Sequence, residues 1–306
     1  MKYRALVTGR HDAGILWSLR RLMPFVDEGE DALILVGDRY ETAQAAVEAT
    51  RARTPIVHLH GGEVTEGASD DAFRNAITKM AHLHLVSTAV HGSRVVAMGE
   101  DPTTVHVVGA PGLDNLHRDD LPGRKLLEAR LGIELKPPVV IVTLHPATLG
   151  EDPAELSEAV RKAMEWIYAT YVITTPNTDP GHESIRWGGT IVSLGERDYW
   201  GLMKVADAML GNSSSGLIEA PAVQLPVVNV GARQNGRLRG ANVIDVPAEW
   251  GAIGKGLLTA LGGAAFRTKL KGTFSPYGDG HSGERIRDIL RDWVPPKPPR
   301  KRPVSC

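Results

Sequence analysis

The sequence has almost no thiol chemistry available to it. One of its 306 residues is cysteine, Cys306, which excludes an internal disulfide framework and a cysteine-based metal site. It also lacks a charge excess: 35 lysines and arginines against 36 acids leave a formal net charge of −1, so no global field favours nucleic acid or a membrane surface. No apolar run approaches membrane-spanning length, and the start "MKYRALVTG" has no signal-peptide apolar core. A cytoplasmic, reducing location is expected, with neither nucleic acid nor membrane as partner.

What remains is ordinary globular material, 42% hydrophobic and 23% charged. The length suits two domains that bury about three quarters of their unfolded surface. The one local charge bias is "PPKPPRKRPVSC" (295–306), read as a solvated, disordered tail, with a binding arm as the alternative.

Apolar runs at 3–9, 31–38, 55–62, 83–88 and 105–112 alternate with helical periodicity at about 12–26, 40–53, 70–81 and 90–99. Strands apolar on both faces and separated by helices indicate a parallel sheet covered by helices. A charged stretch at 113–137 reads as a linker with one helix. The alternation then restarts, with strands expected at 139–145, 170–176, 189–194, 208–212 and 225–231 and helices at 152–168 and 198–206. This is an α/β chain of two Rossmann-like domains with a cleft between them: residues 1–116, then 117–279. A terminal helix at 280–294 is expected to cross back onto the first domain.

Doubly wound sheets bind ligands beyond the carboxyl ends of their strands. Those ends carry Gly9 to Asp12, Asp38 to Glu41, His58 to Glu63, His145, Asn177 to Asp179 and Gly211 to Gly216. The stretch "GNSSSGLIEA" (211–220) presents hydroxyls and free backbone N–H groups where a helix begins, which suits a phosphate. Its plain alternative is a serine helix cap. Glu219 reads either as a solvated face residue or as an acceptor for the two hydroxyls of a ribose. A serine-nucleophile elbow fails on spacing, because Gly211 and Gly216 stand one residue too far apart. His58 and His60, two apart on a strand, have a metal-ligand spacing, with Asp38 as a third candidate. The alternative for His58 is a satisfied buried imidazole.

In chain order, "LVGDRYE", "HLHGGEVTEGASDDAFRNAITKMAHLHLVST", "VVGAPGLDN", "VTLHPAT", "TTPNTDPG", "GNSSSGLIEAP", "VVNVGARQNGRLR" and "NVIDVP" resemble the hydrolysing UDP-N-acetylglucosamine 2-epimerases of bacterial sialic-acid and related nonulosonic-acid pathways. The resemblance runs from about residue 31 to 292. It implies a GT-B-like fold. It also implies that UDP-N-acetylglucosamine and water become N-acetylmannosamine and UDP, by elimination of UDP and hydration of a glycal, without metal or other cofactor.

Carried over by position, the resemblance makes Asp38, Asp70 and His60 candidate catalytic groups, with Glu63 as the alternative carboxylate and His145 at the leaving phosphate. It sets the diphosphate at Ser213, Ser214 and Ser215, the ribose at Glu219 and charge-assisted bonds from Arg10 and Arg233. Asn177 and Asp179 match a motif without an assigned role. Arg39 and Arg237 are site residues, surface arginines or members of inter-element salt bridges. The partners implied are a UDP-linked sugar and, in a homo-oligomer, further copies of the chain.

The chain departs from the family pattern in two places. "TGRHDAG" stands where "TGTRADYG" is usual, and several tens of residues are missing between the first helix and "LVGDR". Two alternatives therefore stay open: the same chemistry on a UDP-diacetamido-trideoxy or GDP-linked amino sugar, and a nucleotide-sugar-binding protein without turnover.

Overall fold

The computed structural model describes residues 3–7, 31–66, 70–147, 150–176, 180–185, 187 and 194–301. The chain divides into two compact units. Unit 1 is Met1–Val64, Ser69–Pro111 and His281–Cys306; unit 2 is Thr65–Ala68 and Gly112–Gly280.

Unit 1 runs β1 (Tyr3–Val7), β2 (Ala32–Val36), α1 (Tyr40–Arg51), β3 (Ile56–Leu59), α2 (Asp70–Met80), β4 (Leu83–Val86), α3 (Ala89–Ala97) and β5 (Val105–Val107). The five strands are parallel and lie side by side in chain order. Period-2 alternation divides their side chains between two layers. Leu33, Leu35 and Ile56 pack on Ala43, Ala45, Ala46 and Ala49 of α1 and Ile77 of α2. Ala32, Val57, Leu59, Leu83 and Leu85 face the other way, onto Leu290 and the partly buried Ile286, Ile289 and Trp293. Ile286, Ile289 and Leu290 stand at helical i, i+3, i+4 spacing, which is why the terminal helix buries this stripe in unit 1.

Unit 2 runs α4 (Arg124–Leu131), β6 (Val139–Thr143), α5 (Pro153–Trp166), β7 (Thr170–Ile173), α6 (Gly195–Val205), β8 (Ala208–Gly211), α7 (Ser215–Ile218), β9 (Val227–Val230), β10 (Val243–Val246), α8 (Trp250–Gly262) and α9 (Ala264–Leu270), followed in unit 1 by α10 (Ser282–Asp292). Its parallel sheet has the order β10-β9-β8-β6-β7. The chain therefore steps from β6 to one side for β7 and to the other for β8. That reversal is a topological switch point, and it opens beyond the carboxyl ends of β6 and β8. The entry to α5 shows the local chemistry: Asp152 caps it by accepting the Ala154 and Glu155 N–H bonds, with Pro153 at the first helical position.

Two features differ from the sequence expectation. β10, α8 and α9 were not foreseen. α8, "WGAIGKGLLTALG", carries four glycines that each disfavour helix, yet a side chain at Gly256 would come within 3.0 Å of Val228, so the small residue permits a close approach to β9. The tail expected to be solvated and disordered over 295–306 is held as far as residue 301: Lys297 pairs with Asp31 at 3.3 Å, and Lys301 pairs with the buried Glu100. Buried charge attracts a partner, and the tail supplies it. The helix expected at 12–26 and the strand at 189–194 lie outside the described residues. Among the described residues no helix is long and apolar enough to cross a membrane.

Candidate active site

In unit 1 the site is built where β2 and β3 end. After Leu59 the chain turns through His60 (φ 67°) and Gly62 (φ 76°). At Gly62 a Cβ would run into the His91 carbonyl, so glycine is required on both counts. The turn sends the Glu63 side chain inward. Its Oε1 accepts from His60 Nδ1 at 2.8 Å and from the Ser87 hydroxyl at 3.0 Å. Ser87 has one proton, already given to Glu63, so the 2.8 Å contact with His91 Nδ1 is a bond donated by His91. The His60 side chain is 22% exposed against 4% for Glu63. The carboxylate is thus the buried partner that orients the imidazole through its Nδ1–H.

Asp38 follows Gly37 at the end of β2. The fully buried Arg74 donates to Asp38, to Asp71 and, at 2.9 Å, to the Glu63 carbonyl. One guanidinium therefore ties the β2 end, the β3 turn and the first turn of α2 together. Asp71, Arg74 and Thr78 share a face of α2 by their i, i+3, i+7 spacing. Asp70 stands in the same first turn, but the Arg74 bond goes to its neighbour. Arg39 pairs with Glu41 at 3.3 Å.

His58 is not a metal ligand. Its Nε2 lies 3.2 Å from the Gly37 carbonyl, which can only accept, so Nε2 carries the hydrogen and Nδ1 accepts from the Thr78 hydroxyl at 3.1 Å. Both ring nitrogens are satisfied, and burial holds its pKa down at about 3 despite the Gly37 bond. The satisfied-imidazole alternative is the one realised. His60 lies beyond the strand, so the two histidines do not form a pair.

In unit 2 the switch point assembles a second cluster. Asn212, after β8, clamps the His145 backbone in both directions: its Oδ1 accepts the His145 N–H and its Nδ2 donates to the His145 carbonyl, each at 2.8 Å. Gln234 and Arg233 donate to the Asn212 carbonyl at 2.7 and 3.2 Å, and Arg233 Nε reaches the Pro146 carbonyl at 3.2 Å. Arg233 thus braces the turn.

A chain of hydroxyls runs beneath it. Thr174 donates to Thr143 at 2.9 Å, Thr143 meets Tyr199 at 3.2 Å, Tyr199 meets Ser215 at 3.0 Å, and Ser215 meets Ser213 at 2.8 Å. Ser214, at the helix cap position, makes no side-chain cap bond. Glu219 Oε1 lies so near Gly112 that a Cβ there would come within 3.0 Å of it. Arg237 donates to Thr65 at 3.1 Å. Arg10, Asn177 and Asp179 lie outside the described residues.

Arg74, Ser87, His91, Tyr199 and Gln234 were missed from sequence. Only Arg74 left a signal, as a charge on the buried stripe of an amphipathic helix.

The geometry invites comparison with known proteins. A family model described as UDP-N-acetylglucosamine 2-epimerase matches residues 19–291. The chain belongs to that family. It is 33% identical over 286 residues to the polysialic acid biosynthesis protein P7 of Escherichia coli, covering 89% of this chain and 73% of that one. It is 36% identical over 281 residues to the hydrolysing UDP-N,N'-diacetylbacillosamine 2-epimerase of Legionella pneumophila, covering 87% and 72%. The crystal structure of UDP-GlcNAc 2-epimerase from Neisseria meningitidis bound to UDP-GlcNAc superposes with a TM-score of 0.75 at 16% identity, covering 94% of this chain and 84% of that one. Like the 2-epimerases it resembles, the chain has a GT-B-like fold, built from two Rossmann-like parallel sheets.

Proposed function

We propose that this chain is a hydrolysing 2-epimerase that converts UDP-N-acetylglucosamine and water to N-acetylmannosamine and UDP. The observation that carries the reading is the His60–Glu63 pair joined through Arg74 to Asp38. Binding alone requires neither an oriented imidazole nor a carboxylate held on a buried guanidinium.

Inverting C2 requires removal of a weakly acidic hydrogen. In this reading the C1–O bond breaks, UDP leaves with its electron pair, and a base takes the C2 proton to leave a glycal. Water then adds its hydroxyl to C1, and a proton is delivered to the opposite face of C2. His60, through Nε2, and Asp38, paired with Arg74, are the proton-transfer groups, with Asp70 as a third candidate. In unit 2 the Ser213–Ser215 turn and His145 supply donors for the diphosphate, and Glu219 accepts the ribose hydroxyls.

A second reading keeps the chemistry and changes the sugar. The 36% identity to an enzyme named for UDP-N,N'-diacetylbacillosamine favours a diacetamido substrate. Proton NMR in deuterated water distinguishes these. N-acetylmannosamine deuterated at C2, together with UDP, supports the first reading; turnover of the diacetamido sugar alone supports the second. UDP appearing with protonated N-acetylglucosamine would mean plain hydrolysis, and the roles given to His60 and Asp38 would be wrong.

A further inference from the structure

Outside the site, unit 1 buries a compact charge cluster. Glu100 is 2% exposed. Its Oε1 accepts from Lys79 Nζ at 2.5 Å, and its Oε2 accepts from His84 Nε2 at 3.1 Å and from Lys301 Nζ. Burial alone would push the Glu100 carboxyl up, but its three donors outweigh that and hold it at about 2. Lys301 is the distant member. It arrives from the C-terminal segment, and its ammonium also donates to the Thr78 and Lys79 carbonyls at 3.2 and 2.8 Å. These are among the last four carbonyls of α2, which lack i+4 donors within the helix; the Thr78 carbonyl also accepts from the Ala81 N–H at 3.2 Å. A cation there caps them and complements the helix dipole.

The same helix carries Asp70, Asp71 and Arg74 at its other end, and its Thr78 hydroxyl holds His58. The segment leading to Lys301 is attached by charge as well as by packing, with Pro295 buried. Lys297 pairs with Asp31, and a cavity of about 200 Å³ remains, lined by Trp293, Arg300 and Lys301 on one side and by His82, Asp101 and Thr103 on the other.

We propose that residues 295–301 form an intramolecular strap on α2, and that Lys301 is a positioning residue for the reaction, capping α2 and closing the Glu100–His84 pair so that Arg74 is held against Asp38. The role in turnover rests on the proposed function; the strap itself does not.

Three variants test it: Lys301→Met, Lys301→Arg, and a chain ending at Pro296. Amide hydrogen exchange of residues 70–82 should quicken at least tenfold in the first and third, with α8 in unit 2 unchanged, and Lys301→Arg should stay near the parent. In the NMR assay the first and third should lose about tenfold in kcat with KM and UDP affinity within twofold, and Lys301→Arg should recover most of the rate. Unchanged exchange over 70–82 in Lys301→Met overturns the strap. Faster exchange with unchanged kcat overturns the positioning role, as does a uniform rise in exchange across both units. If the parent turns over no UDP sugar, the proposed function fails and the turnover role with it, while the exchange measurement still decides the strap.

Discussion

Arg74 shows how one residue organises a site. A fully buried guanidinium needs acceptors for its donors, and it finds them on three separate chain segments, at Asp38, Glu63 and Asp71. The fork geometry matters, because an ammonium is a point charge without the planar, bidentate reach. Asp38→Asn, which keeps the shape and removes the charge, should lower turnover by about 100-fold or more with UDP affinity nearly intact. Arg74→Lys should impair turnover similarly and also cost about 3 kcal/mol of stability by urea unfolding, since it leaves a fully buried cation poorly paired with its three acceptors. Near-normal rates in both variants would remove Asp38 from the mechanism. His58 and His60 make the complementary point. Their spacing suggested one face and one metal, but the backbone turn at His60 separates them, and that turn depends on where the His91 carbonyl lies.

Among the elements, α7 is the most economical. Four residues long, it follows a β8 that ends at Gly211, where φ is 139° and a Cβ would strike the Thr143 carbonyl. Glycine there lets β8 run close beside β6, which brings Asn212 to His145. Ser213 and Ser215 are held by the hydroxyl chain through Tyr199, while the Ser214 hydroxyl makes no cap bond to its helix. The Ser214→Ala, Glu219→Ala double variant should therefore weaken UDP binding about tenfold or more by calorimetry, with unit 1 unaffected. Unchanged affinity would move the nucleotide away from this turn. The motif was legible as an anion site, whereas Tyr199 and the clamp of Asn212 on His145 were not. Tyr199 sits in a helix of ordinary composition, and nothing in its neighbours indicates that it reaches Ser215, 16 residues on.

Three described groups of unit 1 tie the stability of the molecule to pH. Burial depresses His58 to about 3 and His82 to about 4, while Glu100 is held at about 2 by its donors. Each folded value lies below the unfolded one, so each group contributes stability that is complete above the unfolded pKa and lost as the pH falls toward the folded one. The histidines act from about pH 6.5 downward, and Glu100 from about 4.5 down to 2. His58 alone should remove about 2 kcal/mol by pH 5. Urea midpoints between pH 7.5 and 4 should fall accordingly, and less steeply in His58→Gln. A flat profile would mean these imidazoles are not buried neutral.

What the sequence by itself determined is the architecture and the inventory of chemical groups. Short apolar runs alternating with helical segments indicate parallel strands, and their carboxyl ends name Asp38, His60, Glu63, His145 and the serine turn without any coordinates. Tertiary structure decided the partnerships. Which carboxylate Arg74 holds, which histidine is satisfied and which is oriented, and where Lys301 goes all depend on contacts between residues far apart in the chain. Hydrophobic periodicity is local and legible, but pairing a buried charge is a three-dimensional matter.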